Sequence, residues 1–190
     1  MAKSASNIVP GNIDATFPIA GQDNSSQGFR DNFSASKTNF TNTKSEIEDL
    51  QTNTPKTDGA SSFNDNIVSR AVLKDTAETV YAHGTTGGST TLNHENGHYQ
   101  TITTNAAITL AFANWPANTT LGRIIFDVEL VSVAHTITIP SAVLVADNVT
   151  GGDGSSNLIT AVNTGRYLYE FVSPDGGTSI LMHQLGKMYT

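Results

Sequence analysis

The chain has 190 residues, of which 37% are hydrophobic, only 14% are charged and 16 are glycine, which predicts a loop-rich, largely β protein of one globular domain plus an extension. Its net charge of −7, with no basic stripe to displace counterions, argues against a nucleic-acid partner. The absence of cysteine excludes disulfides, thiolate metal sites and a cysteine nucleophile. No run approaches the roughly 20 apolar residues of a membrane span, and the first 21 residues lack the apolar core of a signal peptide, so neither a membrane span nor secretion is expected.

Residues 1–24 read as an extended arm. Pro10, Gly11, Pro18 and Gly21 break regular structure, and the apolar anchors Ile13, Phe17 and Ile19, with Ile8 and Val9, have no local element in which to pack. The arm is either a free terminus or a strap lying along another subunit.

From residue 25 to 51 the period changes to that of an amphipathic helix with a coiled-coil register. Phe29, Phe33, Phe40, Ile47 and Leu50 fall on a heptad pattern, with Ser36 and Thr43 in the remaining seam positions. Ser25 or Ser26 caps its start, whereas Glu46, Glu48 and Asp49 oppose the dipole near its end. Recurrent Asn and Thr lower the intrinsic propensity, so packing has to hold this helix. Its aromatic face either folds back on the chain's own β-region or meets matching helices. The long polar segment that follows favours a homo-oligomer, with a trimer as the favoured order.

Residues 52–83 are a linker with short elements, broken by Pro55 and Gly59. Residues 84–190 carry about eight short strands. Ile124, Phe126, Val128 and Leu130 alternate with Arg123, Asp127 and Glu129, and after a turn at 132–134 Ile137 and Ile139 alternate with Thr136 and Thr138. Thr90–His94 and His98–Thr103 flank Asn96-Gly97, the strongest hairpin signal in the chain. Residues 84–88 read as a polar loop, and 106–112, 142–145, 166–172 and 178–184 as further strands. With no room for crossover helices, the expected fold is an antiparallel β-sandwich with jelly-roll-like connections.

His94-Glu95-Asn96-Gly97-His98 matches the HExxH pattern of zinc hydrolases, in which a helix sets two imidazoles on one zinc and the glutamate on its water. Extended-favouring sequence on both sides and the lack of a clear third ligand make that a distant alternative, so no enzyme activity, cofactor or metal is expected. No nucleophile elbow or phosphate loop is present. Asp147, Asp153 and Glu170 lack the ligand spacing of an EF-hand. Trp115, Tyr81, Tyr99, Tyr167, Tyr169 and Phe171 suit a core or subunit contact, with sugar stacking as the alternative.

Residues 10–33, PGNIDATFPIAGQDNSSQGFRDNF, continued by NFTNTKSEIEDLQ, resemble an N-terminal segment of virion proteins from tailed bacteriophages, particularly those of marine cyanobacteria. Residues 92–187, with the WP turn at 115–116, HTITIPSA and the TGRYLYEFVSPDGGTSILMHQLGK stretch, are similar in layout to a β-domain of phage tail-fibre and related proteins. The resemblance implies a virion structural protein assembled in the host cytoplasm, with other phage virion proteins as partners and a trimeric β-module. It suits a short fibre or a neck- or baseplate-associated component, in which residues 1–24 serve as an attachment arm docking to a virion platform and the Phe29, Phe33, Phe40, Ile47 and Leu50 face joins protomers or packs on that platform. Capsid decoration and binding of a host-surface glycan are the alternatives. No catalytic residue is implied.

Overall fold

The structure, a computed structural model, describes residues 6–22, 26–55, 59, 61–63 and 67–188. Ser25, one of the two expected caps, lies outside them, as do parts of the expected arm (1–5, 23–24) and linker (56–58, 60, 64–66). The chain divides into two units, Met1–Val72 and Leu73–Thr190.

In the first unit, helix α1 spans Ser26–Asn53, 28 residues, or about 42 Å at 1.5 Å per residue. Its threonines are accommodated by local bonding: the hydroxyls of Thr41, Thr43 and Thr52 donate to the carbonyls of Lys37, Asn39 and Glu48 at 2.8–2.9 Å. The helix stops where Thr54 N–H still reaches the Leu50 carbonyl at 2.9 Å and Pro55 disfavours helical geometry in the residue before it. No residue of α1 is buried, so its own side chains do not close a core. A 3-10 turn, Pro10–Asn12, punctuates the arm.

The second unit is mainly β, a curled mixed sheet. Its strands are β1 (Val80–Asn93), β2 (Tyr99–Ala113), β3 (Gly122–Leu130), β4 (Ile137–Thr138), β5 (Val143–Val145), β6 (Leu158–Ile159), β7 (Gly165–Ser173) and β8 (Ile180–Met188). They lie in the order β5-β8-β7-β3-β2-β4-β6, with β1 also on β2. The expectation of purely antiparallel pairing is corrected. β1 on β2, β2 on β3, β2 on β4 and β5 on β8 are parallel, while β3 on β7, β4 on β6 and β7 on β8 are antiparallel.

The parallel pairing of β1 with β2 explains the curl. Val80 lies opposite Tyr99 and Asn93 opposite Ala113, although only residues 94–98 connect the two strands. A straight strand of 14 residues would be about 46 Å long, whereas five connecting residues reach at most about 18 Å. The chain therefore bends within β1 and completes a lap between Val80 and Tyr99. The bends sit at the register shifts between Ala82 and Thr85 and between Thr86 and Gly88, where Gly84 and Gly88 have φ of +76° and +75°. Residues 84–88, expected as a loop, are thus built into the strand.

Asn96-Gly97 does not make a hairpin. The type I′ turn that Asn-Gly favours needs positive φ at both positions, but only Gly97 has it, at +119°, and His94–Asn96 forms a 3-10 turn. The Asn93 side chain accepts the Glu95 N–H at 3.0 Å, and the buried Gln100 amide donates to the carbonyls of Asn93 (2.7 Å) and Gly97 (3.1 Å). These bonds hold the chain in a winding course rather than a reversal.

β3 and β4 do not pair with each other. They follow one another along β2, β3 beside Tyr99–Thr103 and β4 beside Ile108–Thr109. Ile124, Phe126, Val128, Leu130, Ile137 and Ile139 are all buried, in one cluster with Tyr167, Tyr169 and Phe171 from β7. The alternation read from the sequence therefore does set the inner face. Burial and the neighbouring Tyr167 raise the pKa of Tyr169, whose hydroxyl has no hydrogen-bond partner among the described residues.

Candidate functional site

α1 carries two parallel rows of side chains, and they do different things. The row Asn32, Asn39 and Glu46, with Asn42 one turn beside it, holds the arm. Asn32 accepts the Asp14 N–H at 2.8 Å and donates to the Asp14 carbonyl at 3.1 Å. Asn39 does the same for Val9, at 3.0 and 3.2 Å. Asn42 donates to the Asn7 carbonyl at 2.6 Å, and Glu46 accepts the Asn7 N–H at 2.7 Å and the Ser6 hydroxyl at 2.9 Å. The arm thus runs antiparallel to the helix, pinned by side-chain amides that read its backbone. Asn32 and Asn39 each supply a donor and an acceptor together, and Asn42 and Glu46 share those two roles at Asn7, which is what an extended residue needs when it has no strand beside it.

At the start of the helix the arm is pinned by packing. The Phe17 ring meets Phe29 edge-on at 4.9 Å between centroids. It also lies over Gly28, where a Cβ would come within 2.6 Å of the ring. The expected arm anchor Phe17 therefore packs on the chain's own helix, while Ile13 and Ile19 are 37% and 50% exposed.

The next row is Phe33, Phe40 and Ile47. One residue further along a helix is a rotation of about 100°, so the row is turned away from the arm, and Phe33 and Phe40 are 73% and 75% exposed. Leu50 and Phe29 are exposed as well. Between Phe33 and Phe40 runs an open groove of about 490 Å³, lined also by Ser36, Lys37, Thr41 and Lys44. The sequence pattern identified the apolar row but not the clamp. The signal was present as the seven-residue spacing of Asn32, Asn39 and Glu46, which reads as weak propensity when taken residue by residue.

On the sheet unit, the outer face of β2, β3 and β7 holds a charged cluster. The Asp127 side chain is almost fully buried and receives a two-pronged guanidinium contact from Arg166 and the Tyr99 hydroxyl at 2.7 Å. Burial opposes ionisation of Asp127, but the bonds from Arg166 and Tyr99 outweigh it and hold its pKa below the usual value. The pKa of Tyr99 is raised, first by burial and then by Asp127. Beside this cluster lies a polar recess of about 240 Å³ reached by Thr101, Thr103, Asp127, Glu129 and Arg166.

Of the HExxH residues, His94–Asn96 form the 3-10 turn and His98 lies just past its Gly97 cap, so the motif is not on an α-helix. The His94 and His98 rings are 4.9 Å apart, and the Glu95 carboxylate accepts a bond from Asn114 at 3.0 Å. Burial and then His98 lower the His94 pKa, favouring its neutral ring. Among the described residues, no group of three or more His, Cys, Asp or Glu is placed to hold a metal ion. Asp153 is used as a turn residue, accepting the N–H groups of Ser155 and Ser156 at 2.9 and 2.7 Å, which depress its pKa to about 2. Trp115 packs on Phe112, and Tyr167, Tyr169 and Phe171 belong to the core.

The chain matches no known family model, curated protein or solved structure. Among the described residues, no helix is long and apolar enough to cross a membrane.

Proposed function

We propose that this chain is a structural subunit of a tailed-phage virion, a short fibre or a neck- or baseplate-associated component, and that copies of it associate through α1. The observation that carries the self-association is the exposed Phe33–Phe40–Ile47 row on a helix with no buried residue. Aromatic side chains of this size dominate interface energetics when they are covered. Heptad spacing is the pattern by which such rows meet in a bundle, with a trimer the favoured order. The virion setting rests on the resemblance of residues 10–51 and 92–187 to phage structural proteins. In its finer form the β-unit is read as a flattened, jelly-roll-like sandwich, with the curled sheet closing over one core that includes Ile137 and Ile159 from one end and Ile180 and Met182 from the other.

Light scattering on the full chain tests the self-association. The wild type is expected to form an oligomer at micromolar concentration and Phe40→Asp a monomer, since a charge in the seam opposes burial. A monomeric wild type sinks the proposal. Finding the protein at stoichiometric copy number in purified particles tests the virion setting. A second reading, recognition of a host-surface glycan, is favoured by the polar recess beside Glu129 and Arg166, whose hydroxyl, carboxylate and guanidinium groups match the hydrogen bonding of a sugar. Binding on a glycan array would carry it.

A further inference from the structure

The rows flanking the aromatic seam differ in kind, and the difference gives the assembly a direction. With Phe33, Phe40 and Ile47 at heptad position a, the three basic residues of α1, Arg30, Lys37 and Lys44, all fall at position e. Asn32, Asn39 and Glu46, which clamp the arm, all fall at position g. In a parallel bundle, position e of one helix faces position g of its neighbour, about five residues earlier in sequence. Lys37 of one copy would then face Asn32 of the next, and with it Asp14, the residue Asn32 holds by both its N–H and its carbonyl. Antiparallel packing would set the e row against another e row, cation against cation, with the arms left facing each other.

We propose that the arm is a structural layer of the helical assembly: clamped on the α1 of one copy, it fills the groove against the α1 of a second copy, with Lys37 of that second copy on Asp14. This rests on the self-association proposed above and adds its orientation and the place of the arm. Charge complementarity supports it, because the acidic group on the clamped arm meets the basic row. Asp14 also stays ionised in this position, its pKa lowered by hydrogen bonds from Thr16. Val9 and Ile13, 47% and 37% exposed on the clamped arm, gain cover from the second helix. The arm is thereby committed within the assembly rather than left free to reach a distant partner.

The absence of cysteine makes the test direct. In the full-length double variant Asp14→Cys/Lys37→Cys, a short bis-maleimide is expected to give a ladder of covalent multimers ending at a closed ring, whose size counts the copies. Neither single variant is expected to give a ladder. Association by light scattering without the ladder overturns the placement of the arm and leaves self-association standing. Dimers cross-linked by Lys37→Cys alone indicate facing e rows and overturn the parallel orientation. A wild-type chain that is monomeric overturns both proposals. If the double-cysteine chain itself no longer associates, exchange of the charges decides: Asp14→Lys/Lys37→Asp is expected to restore the association that either single reversal weakens, and failure to restore it refutes the contact.

Discussion

Replacing Asn39 with alanine sets two effects of opposite sign against each other on two separate observables. Alanine raises intrinsic helix stability by about 0.6 kcal/mol relative to asparagine. The same change removes both hydrogen bonds from Asn39 to the Val9 backbone, at 3.0 and 3.2 Å. These bonds are exposed, so each contributes at the low end of the usual range, and together they amount to about 1 kcal/mol of arm docking, roughly a fivefold change in the ratio of docked to released arm. Hydrogen exchange followed by NMR reads both quantities. The Val9 amide is expected to exchange about fivefold faster in Asn39→Ala, while amides in the middle of α1 exchange as slowly as before or more slowly. Asn39→Asp keeps the acceptor, loses the donor and places a carboxylate against the Val9 carbonyl, so it is expected to release the arm too. Unchanged exchange at Val9 in both variants would show that the asparagine row does not hold the arm.

Arg166→Met leaves the buried Asp127 carboxylate with only Tyr99, and a loss of about 2–3 kcal/mol near neutral pH is expected, discounted because the guanidinium is half exposed. The pH dependence should change sign. In the wild type the folded Asp127 pKa is depressed, so its contribution is present above the ordinary carboxylate value and lost as pH falls through the folded one. Without Arg166, burial raises that pKa and stability falls as pH rises, so urea midpoints that drop equally at about pH 4 and about pH 7 would refute the ion-pair account. Gly151→Ala meets two obstacles, a φ of +84° and a Cβ 2.0 Å from the Thr160 carbonyl oxygen. It is expected to cost about 2 kcal/mol, or a fall in Tm of about 5 °C. Gly154→Ala, with φ of +68° and open space around its Cβ, should cost about half as much in the same thermal melt.

The sequence made one property of the sheet legible and concealed another. Alternation along 124–130 and at 137–139 tells which side chains turn inward, because period two is a property of a single strand. It does not tell which strand lies alongside, and the two runs, consecutive in sequence, both lie on β2 rather than declaring a partner of their own. The Asn96-Gly97 signal failed because its weight comes from hairpins whose flanking chains are free to reverse. Here Asn93 and Gln100 take the polar groups of the turn, and glycines 84 and 88 have already bent the strand. In the helix, the row of large apolar residues was legible from spacing alone. The clamp was not, since an asparagine that serves a distant backbone has the same local signature as one that merely weakens a helix.

The lap from Val80 to Tyr99 has a fixed circumference, and this makes the number of residues in it part of the architecture. Where β-strands are joined by open loops, length varies cheaply because the extra residues bulge into water. In a closed lap, one added residue would carry Thr90 and Leu92 from the interior to the outside and unseat every partner from Gly88 to Asn93. Variation in length is then confined to segments such as 146–157, and the lap acts as a ruler against which the rest of the sheet is laid down.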